Sequence, residues 1–335
     1  MPQLWALRWP RGRGDRKQLT TPAMAFNSRS TAFLFPGQGS QEVGMGQELA
    51  ANNSAAAETF AEADEILGFP LSRLCWEGPA EQLNDTINTQ PAILVHSIAA
   101  LRALDPQTLP AAAAGHSMGE FSALVCAGSF SFEHAVKLVR ARGEAMKAAG
   151  ERSPGRMAAV LGLDPETVAA VCLDVETATG EVVQLANDNC PGQLVISGSE
   201  TGMESATERL KQAGARRVIP LAVSIAAHSP LMEPAQVQLN EAIEATPIEP
   251  PAIPVIANVS AKPLSTVAEI REELQAQLTS RVRWTETIET MRALGIETFI
   301  ELGPKDVLTK LCTRIDRSAQ AFAVGDSISL ESLPA

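Results

Sequence analysis

Short apolar runs alternate along most of the chain with longer segments in which apolar residues recur every three or four positions. The runs are typical of buried strands, and the periodic segments are typical of helices that pack one face on a sheet. The runs that predict strands are residues 32–35, 111–114, 157–161, 182–186, 194–197, 217–221, 253–257 and 298–302. The segments that predict helices are residues 55–67, 91–104, 120–127, 131–149, 165–175, 200–213, 234–245, 267–278 and 285–294, with one more after Gly303-Pro304. This alternation predicts an α/β fold.

One segment within this pattern has an order of its own. Between residues 156 and 223 the predicted elements follow the order β-α-β-β-α-β, which is that of the split-βαβ or ferredoxin-like unit. We therefore expect an inserted subdomain at residues 154–223 and a main core built from residues 31–153 and 224–325. The last fifteen residues or so carry little pattern and predict no element.

The N-terminal residues 1–30 differ from the rest of the chain. They carry six basic residues and one acidic residue, without the continuous apolar stretch of a secretory signal. We interpret them as a disordered basic extension, with an organelle-targeting peptide as the alternative. Because patterned structure starts near Thr31, we hypothesise that Met24 is the natural start of the protein.

Composition excludes several classes of function. No stretch approaches the roughly 18 to 20 uninterrupted apolar residues of a membrane-spanning helix, so we expect a soluble protein. A formal net charge of -12 and an aromatic content of 4%, with no tyrosine, disfavour nucleic-acid binding. The five cysteines are scattered and form no CxxC pair, which predicts reduced thiols and a cytoplasmic location.

The pentapeptide at residues 115–119, GHSMG, has the GxSxG spacing of a nucleophile elbow. In an elbow a serine lies on a sharp turn between a strand and a helix, with small residues on either side that prevent a clash. Such a spacing also arises by chance, but here a predicted strand precedes it and a predicted helix follows it. We therefore expect an enzyme whose nucleophile is Ser117. Cys126, in the following helix, is interpreted as a buried thiol rather than as a nucleophile.

A serine nucleophile needs a base, and the chain has only four histidines. His228 is the best candidate because it lies between a predicted strand and a predicted helix and has small neighbours. An ordinary loop histidine is the alternative. His96, His116 and His134 are interpreted as structural residues. No aspartate is compelling as the group that would hold the histidine ring, so a backbone carbonyl or an amide is expected in that role.

The backbone amides of Met118 and Gln38 are candidates for the oxyanion hole, since the amide after the nucleophile is the usual first donor. Gln38 lies in the glycine-rich loop at residues 36–41, which lacks the third glycine of a dinucleotide-binding motif. Arg142 has two interpretations. It is either a surface arginine whose stem packs on its helix or a bidentate ligand for a substrate carboxylate.

Seven segments in order resemble the malonyl-CoA:acyl-carrier-protein transacylases of fatty-acid synthesis. The resemblance spans about residues 31–317 and is carried by FPGQGSQ, TQPA, GHSMGEFSALVCAG, RARGEAM, NDNCPGQ, VSIAAHSPLM and ELGPKDVL. It implies an α/β-hydrolase-like core with an inserted ferredoxin-like subdomain. It also implies that malonyl-CoA is the substrate and that a holo acyl carrier protein, which brings the phosphopantetheine thiol, is the partner. No metal or other cofactor is implied.

The same resemblance implies a role for each site residue. Ser117 would be acylated, His228 would be its base, Gln38 and Met118 would form the oxyanion hole, and Arg142 would bind the substrate carboxylate.

Three further positions follow from the resemblance. The main-chain carbonyl of Gln277 would orient the histidine, and Arg216 and Arg217 match a basic pair expected to dock the acidic carrier protein. A solvated loop pair is the alternative for the two arginines.

Other functions use the same residues. A serine thioesterase or esterase would release the acyl group to water, and a stand-alone polyketide-type acyltransferase shares every motif. A noncatalytic carrier-docking subunit is a third possibility, although both Ser117 and His228 are present.

Overall fold

The computed structural model describes residues 27–104, 109–223 and 225–333, so that the expected basic extension up to residue 26 lies outside the described part. The strands of this part, in chain order, are β1 (Thr31–Phe35), β2 (Ala112–Gly115), β3 (Gly155–Leu161), β4 (Val183–Cys190), β5 (Gln193–Ser199), β6 (Arg217–Pro220), β7 (Val255–Ile256), β8 (Pro263–Leu264), β9 (Val282–Arg283), β10 (Thr298–Leu302) and β11 (Gln320–Val324). They form two sheets, and together with the helices they confirm the expected α/β class.

Helices cover both faces of the first sheet and one face of the second. In chain order they are α1 (Gln47–Asn52), α2 (Ser54–Leu67), α3 (Leu71–Glu77), α4 (Ala80–Leu83), α5 (Thr86–Leu104), α6 (Gly119–Cys126), α7 (Phe132–Arg152), α8 (Pro165–Thr179), α9 (Glu200–Gln212), α10 (Glu233–Ala245), α11 (Val267–Ala276), α12 (Trp284–Ala293), α13 (Val307–Ile315) and α14 (Ser327–Glu331), with a short 3-10 turn at Pro230–Met232. None of those in the described residues is both long and apolar enough to cross a bilayer.

The first sheet has the order β11-β10-β1-β2-β7-β8 and is parallel except at β8. Its central strand β1 is buried along its whole length because helices cover both faces. Phe33 and Phe35 pack on the face that carries α2, α5 and α7, whereas Ala32 and Leu34 pack on the face that carries α12 and α13. Burial on both faces explains why the strand is a continuous apolar run rather than an alternating one.

The second sheet has the order β6-β3-β5-β4-β9. Residues 155–220 supply all of it except β9, and their elements follow the expected order β-α-β-β-α-β. Ala158 and Val160 of β3 pack against α8 and α9 on one face. On the opposite face Met157 and Val195 line a cleft between the two sheets. The parallel pairing of β4 with β9 ties this unit to the remainder of the chain.

Several predicted bounds are wrong for identifiable reasons. Helix α5 starts at Thr86, five residues before the expected start at Pro91. Pro91 lies inside the helix, where its missing N–H leaves the carbonyl of Ile87 without its helical donor. Nη1 of Arg140 donates to that carbonyl at 3.3 Å, which compensates for the loss. Helix α7 continues through Gly150 to Arg152, past the expected break. The C-terminal end, expected to lack elements, forms β11 and α14.

Candidate active site

Ser117 lies on the turn between β2 and α6 with a left-handed backbone, φ 52°. This conformation is rare for a residue with a side chain and is typical of a strained functional turn. The glycines on either side are required by space. A Cβ on Gly115 would lie 1.9 Å from the carbonyl carbon of Gly119, and a Cβ on Gly119 would lie 2.1 Å from the oxygen of Phe35. The sequence GHSMG therefore forms the expected elbow at the carboxyl end of β2.

Three neighbouring parallel strands bring their following residues to the same edge of the sheet. Strand β1 leads to Gln38, β2 leads to Ser117, and β7 leads to Asn258. Asn258 spans the elbow, since its Oδ1 accepts from the Ser117 amide at 2.7 Å and its Nδ2 donates to the Gly115 carbonyl at 2.8 Å. Sequence reasoning missed Asn258. Its position directly after a strand next to that of the nucleophile is the signal that would have found it.

His228 is buried beside the nucleophile, with its Nε2 2.8 Å from Ser117 Oγ. Its Nδ1 lies 2.9 Å from the carbonyl oxygen of Gln277 and 3.1 Å from that of Ser280. Because carbonyl oxygens only accept, the ring proton belongs on Nδ1, and Nε2 is free to accept the serine proton. Backbone carbonyls thus lie where other serine enzymes place an aspartate. Burial, with the nearby charge of Arg142, lowers the pKa of His228 to about 3, so that the imidazole is neutral.

Arg142 is buried, with 2% of its surface exposed, so the interpretation as a surface arginine is wrong. Its Nη2 donates to Ser117 Oγ at 3.2 Å and to Oε1 of Gln277 at 3.0 Å. Its Nη1 donates to Oε1 of Gln90 at 2.8 Å and to the sulfur of Met146 at 3.3 Å, which is a weak acceptor. Its Nε has no acceptor among the described residues. Burial lowers the pKa of Arg142 to about 9, which leaves the guanidinium charged at neutral pH.

The backbone amides of Gln38, in the loop after β1, and of Met118, in the elbow, have no hydrogen-bond acceptor within the described ranges. The loop that carries Gln38 approaches the elbow so closely that a Cβ on Gly37 would lie 2.5 Å from the carbonyl oxygen of His116. Two free backbone donors close to a serine nucleophile are what an oxyanion hole requires. The side chain of Gln38 is held separately, since its Oε1 accepts from the Thr86 hydroxyl at 3.0 Å.

Comparisons with known proteins show the family of the chain. Residues 32–329 match the sequence family described as the acyl transferase domain. The chain is 49% identical over 301 residues to the malonyl CoA-acyl carrier protein transacylase of Bacillus subtilis strain 168, covering 90% of this chain and 95% of that protein. The chain belongs to this transacylase family.

Solved structures agree with this assignment to the transacylase family. The crystal structure of an acyl carrier protein S-malonyltransferase from Vibrio cholerae is similar with a TM-score of 0.87 at 45% identity, covering 90% of this chain and 99% of that one. A complex described as a type II PKS acyl-carrier protein with its malonyl-transacylase is similar with a TM-score of 0.87 at 42% identity, covering 90% and 97%. The expected family is therefore confirmed.

In this member of the transacylase family Ser117 and His228 open into a cleft of about 510 Å³ between the two sheets. Its walls carry amides, hydroxyls and apolar side chains, among them Thr86, Met157, Asn187, Asn189 and Val195, and also the charged side chains of Glu81, Asp85 and Lys147. Residues 221–223 form another part of the wall and directly follow β6. Arg216 and Arg217 are exposed at the start of that strand, outside the cleft.

The other candidate residues have hydrogen bonds or positions of their own, although His116 also lines the cleft. The Nε2 of His116 donates to Asn189 at 2.8 Å, and the Nε2 of His96 donates to the carbonyl of Gly325 at 2.8 Å. His134 is half-buried at the start of α7. Cys126 is buried as a free thiol, and burial raises its pKa to about 12, which makes it a poor nucleophile.

Proposed function

We propose that this chain is a malonyl-CoA:acyl-carrier-protein transacylase of fatty-acid synthesis that works through a malonyl ester on Ser117. The observation that carries the proposal is the buried guanidinium of Arg142, which lies 3.2 Å from the hydroxyl oxygen of the nucleophile. An acyl group attached to that oxygen and bearing a free carboxylate at its far end would place the carboxylate near the guanidinium. A hydrolase for neutral acyl groups has no use for such a cation.

The first half of the reaction acylates the enzyme. Ser117 Oγ attacks the thioester carbonyl carbon while His228 Nε2 takes the hydroxyl proton. The amides of Gln38 and Met118 donate to the oxygen that becomes negative in the tetrahedral intermediate. The carbon–sulfur bond then breaks, His228 returns its proton to the leaving sulfur, and coenzyme A departs as the thiol.

The second half transfers the malonyl group to the carrier protein. His228 takes the proton of the phosphopantetheine thiol, and the sulfur attacks the carbonyl carbon of the ester on Ser117. The carbon–oxygen bond breaks, and the proton passes back to the serine oxygen. A thioester is a good donor, so positioning and oxyanion stabilisation suffice, and the mechanism includes no metal or prosthetic group.

Arg142 has the features that capture of a carboxylate requires. Its Nε has no acceptor within the described ranges, and one of its Nη1 contacts is to the weakly accepting sulfur of Met146. A carboxylate would give the guanidinium the paired, charged acceptors that match its planar donors. Gln277 contributes twice, since its carbonyl accepts from His228 and its side-chain oxygen accepts from Arg142.

Arg216 and Arg217 are the proposed contact for the carrier protein. They are exposed at one end of β6, whose other end continues into the cleft wall. The chain carries a formal net charge of -12, so a local basic patch would offset repulsion of an acidic partner. Reversing both charges is expected to raise KM for the carrier protein at low salt while leaving KM for malonyl-CoA unchanged. Equal effects on the two substrates would contradict this assignment.

We also propose the finer description of the fold and of the cell location. Residues 31–153 and 224–325 are assigned to an α/β-hydrolase-like core, and residues 154–223 to an inserted ferredoxin-like subdomain. The parallel first sheet with its elbow and the spatial order β6-β3-β5-β4 support this division. The five buried, unpaired cysteines support a reducing, cytoplasmic location.

The decisive experiment gives the purified protein malonyl-, methylmalonyl- and acetyl-CoA and locates the acyl group by peptide mass spectrometry. We expect malonyl on the peptide that contains Ser117, no label on the Ser117→Ala variant, and discharge to a holo-carrier thiol faster than to water. Free malonate as the main product in the presence of holo-carrier would make the protein a thioesterase. Methylmalonyl as the preferred group would indicate a polyketide-type acyltransferase.

A further inference from the structure

A buried carboxyl group lies directly under the catalytic pair. Glu120, in the first turn of α6 and three residues after the nucleophile, has no exposed surface. Its Oε1 accepts from the backbone amide of Asn258 at 3.1 Å, and its Oε2 accepts from Nε2 of Gln277. The burial of Glu120 has no signal in the sequence, because an acidic residue in the first turn of a helix is usually exposed and stabilises the helix dipole.

We propose that Glu120 is the positioning residue of this active site: one buried carboxylate fixes the nucleophile through Asn258 and fixes both the base and the substrate-binding arginine through Gln277. The proposal deepens the proposed function and relies on it for its kinetic measurement.

The first connection runs to the nucleophile. Glu120 holds the backbone of Asn258, whose side chain accepts from the Ser117 amide and donates to the Gly115 carbonyl. The elbow has a strained, left-handed residue at its tip, and such a residue persists only where surrounding contacts hold it. Asn258 supplies two of these contacts, and Glu120 sets the position of Asn258.

The second connection runs through Gln277. The side-chain amide of Gln277 donates to Glu120 and to the Ser117 carbonyl, while its oxygen accepts from Arg142 at 3.0 Å. Its backbone carbonyl accepts a hydrogen bond from Nδ1–H of His228. A flipped amide would direct N–H groups at the guanidinium and oxygen at the carboxylate. Glu120 and Arg142 therefore fix the amide orientation between them.

The charges support the same arrangement. The hydrogen-bond partners of Arg142 among the described residues are all neutral, namely Gln90, Gln277, Ser117 and Met146. The negative charge that stabilises the buried cation is that of Glu120. Burial and the neighbouring Glu273 raise the pKa of Glu120. Both of its oxygens nevertheless accept from N–H groups, which stabilise the charged form of a carboxyl group. This is the geometry of a carboxylate.

Glu301 provides a matched control, because it is a buried glutamate that has only a structural position. It is fully buried on β10, and its two oxygens accept from the backbone amides of Leu308 and Thr309 at the start of α13. Burial raises its pKa to about 7. It contacts no residue of the proposed active site. Glu120→Gln and Glu301→Gln therefore make the same carboxyl-to-amide replacement in two equally buried, doubly hydrogen-bonded side chains.

The experiment compares the two variants by three measurements: malonyl transfer to holo-carrier protein, the rate at which a small neutral sulfonyl fluoride labels Ser117, and the melting temperature. We expect Glu120→Gln to slow both transfer and labelling by about 10- to 100-fold, because a misplacement of about 1 Å is worth roughly 100-fold. Glu301→Gln should change both rates less than about twofold. The two melting temperatures should fall by similar amounts.

Transfer and labelling rates for Glu120→Gln within about twofold of wild type would overturn the proposal. If Glu120→Gln does not fold, Glu120→Asp takes its place, since the shorter carboxylate keeps the charge but cannot reach both Asn258 and Gln277. Unchanged transfer and labelling rates in Glu120→Asp would equally overturn the proposal. The labelling reagent carries no malonyl group. A wild-type protein that is labelled normally but transfers no malonyl would therefore contradict the proposed function and leave the positioning test intact.

Discussion

Replacement of Arg142 should convert a malonyl-selective site into an unselective one. Arg142→Lys keeps one positive charge but loses the planar pair of donors, and Arg142→Ala loses both. Each hydrogen bond from a charged donor is worth about 1.5 to 3 kcal/mol. Two such bonds to the substrate carboxylate therefore contribute about 3 to 6 kcal/mol, which corresponds to roughly 10²- to 10⁴-fold in kcat/KM at 1.36 kcal/mol per factor of ten. We expect Arg142→Ala to lie in this range and Arg142→Lys at its lower end.

The assay measures kcat/KM for malonyl-CoA and for acetyl-CoA with the same carrier protein. Acetyl-CoA has no carboxylate, so kcat/KM for acetyl-CoA should fall by no more than about tenfold in the Arg142 variants. Some decrease is expected because Arg142 also donates to the serine oxygen at 3.2 Å. Arg140→Ala is the control. Arg140 lies on the same helix but is half-buried and hydrogen-bonds to Glu144 and Asn88, away from the nucleophile.

The ratio of kcat/KM for malonyl-CoA to kcat/KM for acetyl-CoA decides whether Arg142 binds the carboxylate. Equal losses for the two thioesters would mean that Arg142 acts on the serine or on the fold rather than on the carboxylate. Our account of the substrate would then be refuted even if malonyl transfer itself became slow. An effect of Arg140→Ala as large as that of Arg142→Ala would point to general damage to α7.

Three further outcomes follow from the geometry. Because the pKa of His228 is lowered to about 3, kcat/KM should stay level from about pH 8 down to about pH 5 and should fall only as Nε2 takes up a proton. Arg142→Ala removes a positive charge that lowers this pKa, so the acid limb of its pH–rate profile should move to higher pH. A wild-type acid limb near pH 6.5 would contradict the assignment of His228 as the base. Asn258→Ala should lower the free energy of unfolding by about 2 to 4 kcal/mol and slow acylation of Ser117, since it leaves the Ser117 amide and the Gly115 carbonyl unpaired. Unchanged acylation, measured by mass spectrometry, would show that Asn258 does not hold the elbow in place. Gly119→Ala should abolish Ser117 labelling or prevent folding, because the new Cβ would lie 2.1 Å from the oxygen of Phe35; a folded and normally labelled variant would show that the elbow can shift.

Much of the fold could be predicted from the sequence because its core is apolar and regular. The run at residues 32–35 has no polar interruption since helices cover both faces of β1. The order β-α-β-β-α-β within residues 155–220 was visible because each strand and helix there carries a clear period. Strand β11 was missed because it is an edge strand whose residues are mostly half-buried, which leaves no strong alternation.

The pairing of Ser117 with His228 and the carbonyl of Gln277 beside the histidine ring could also be predicted, whereas the positions of Glu120 and Asn258 could not. GHSMG is a local pattern, and only four histidines compete for the second role. Arg142, Glu120 and Asn258 are buried polar residues whose burial depends on partners about 50 to 140 residues away in the chain. Hydrophobic periodicity reports which apolar residues are buried, and it carries no information about such pairings.

The amide at position 277 explains how the site can keep a buried cation ready for its substrate. A carboxylate there would form an ion pair with Arg142 and compete with malonate for the guanidinium, whereas an apolar residue would leave both Arg142 and Glu120 buried without their intervening partner. Gln277 does neither, because it offers an oxygen to the cation and an N–H to the anion while remaining neutral. Arg142 is therefore already desolvated in the folded protein, before any substrate binds. The substrate carboxylate would then be the first anionic group to form a hydrogen bond with the guanidinium. In the function that we propose, discrimination against acetyl groups follows from this cation, which a substrate carboxylate pairs with and an acetyl group does not.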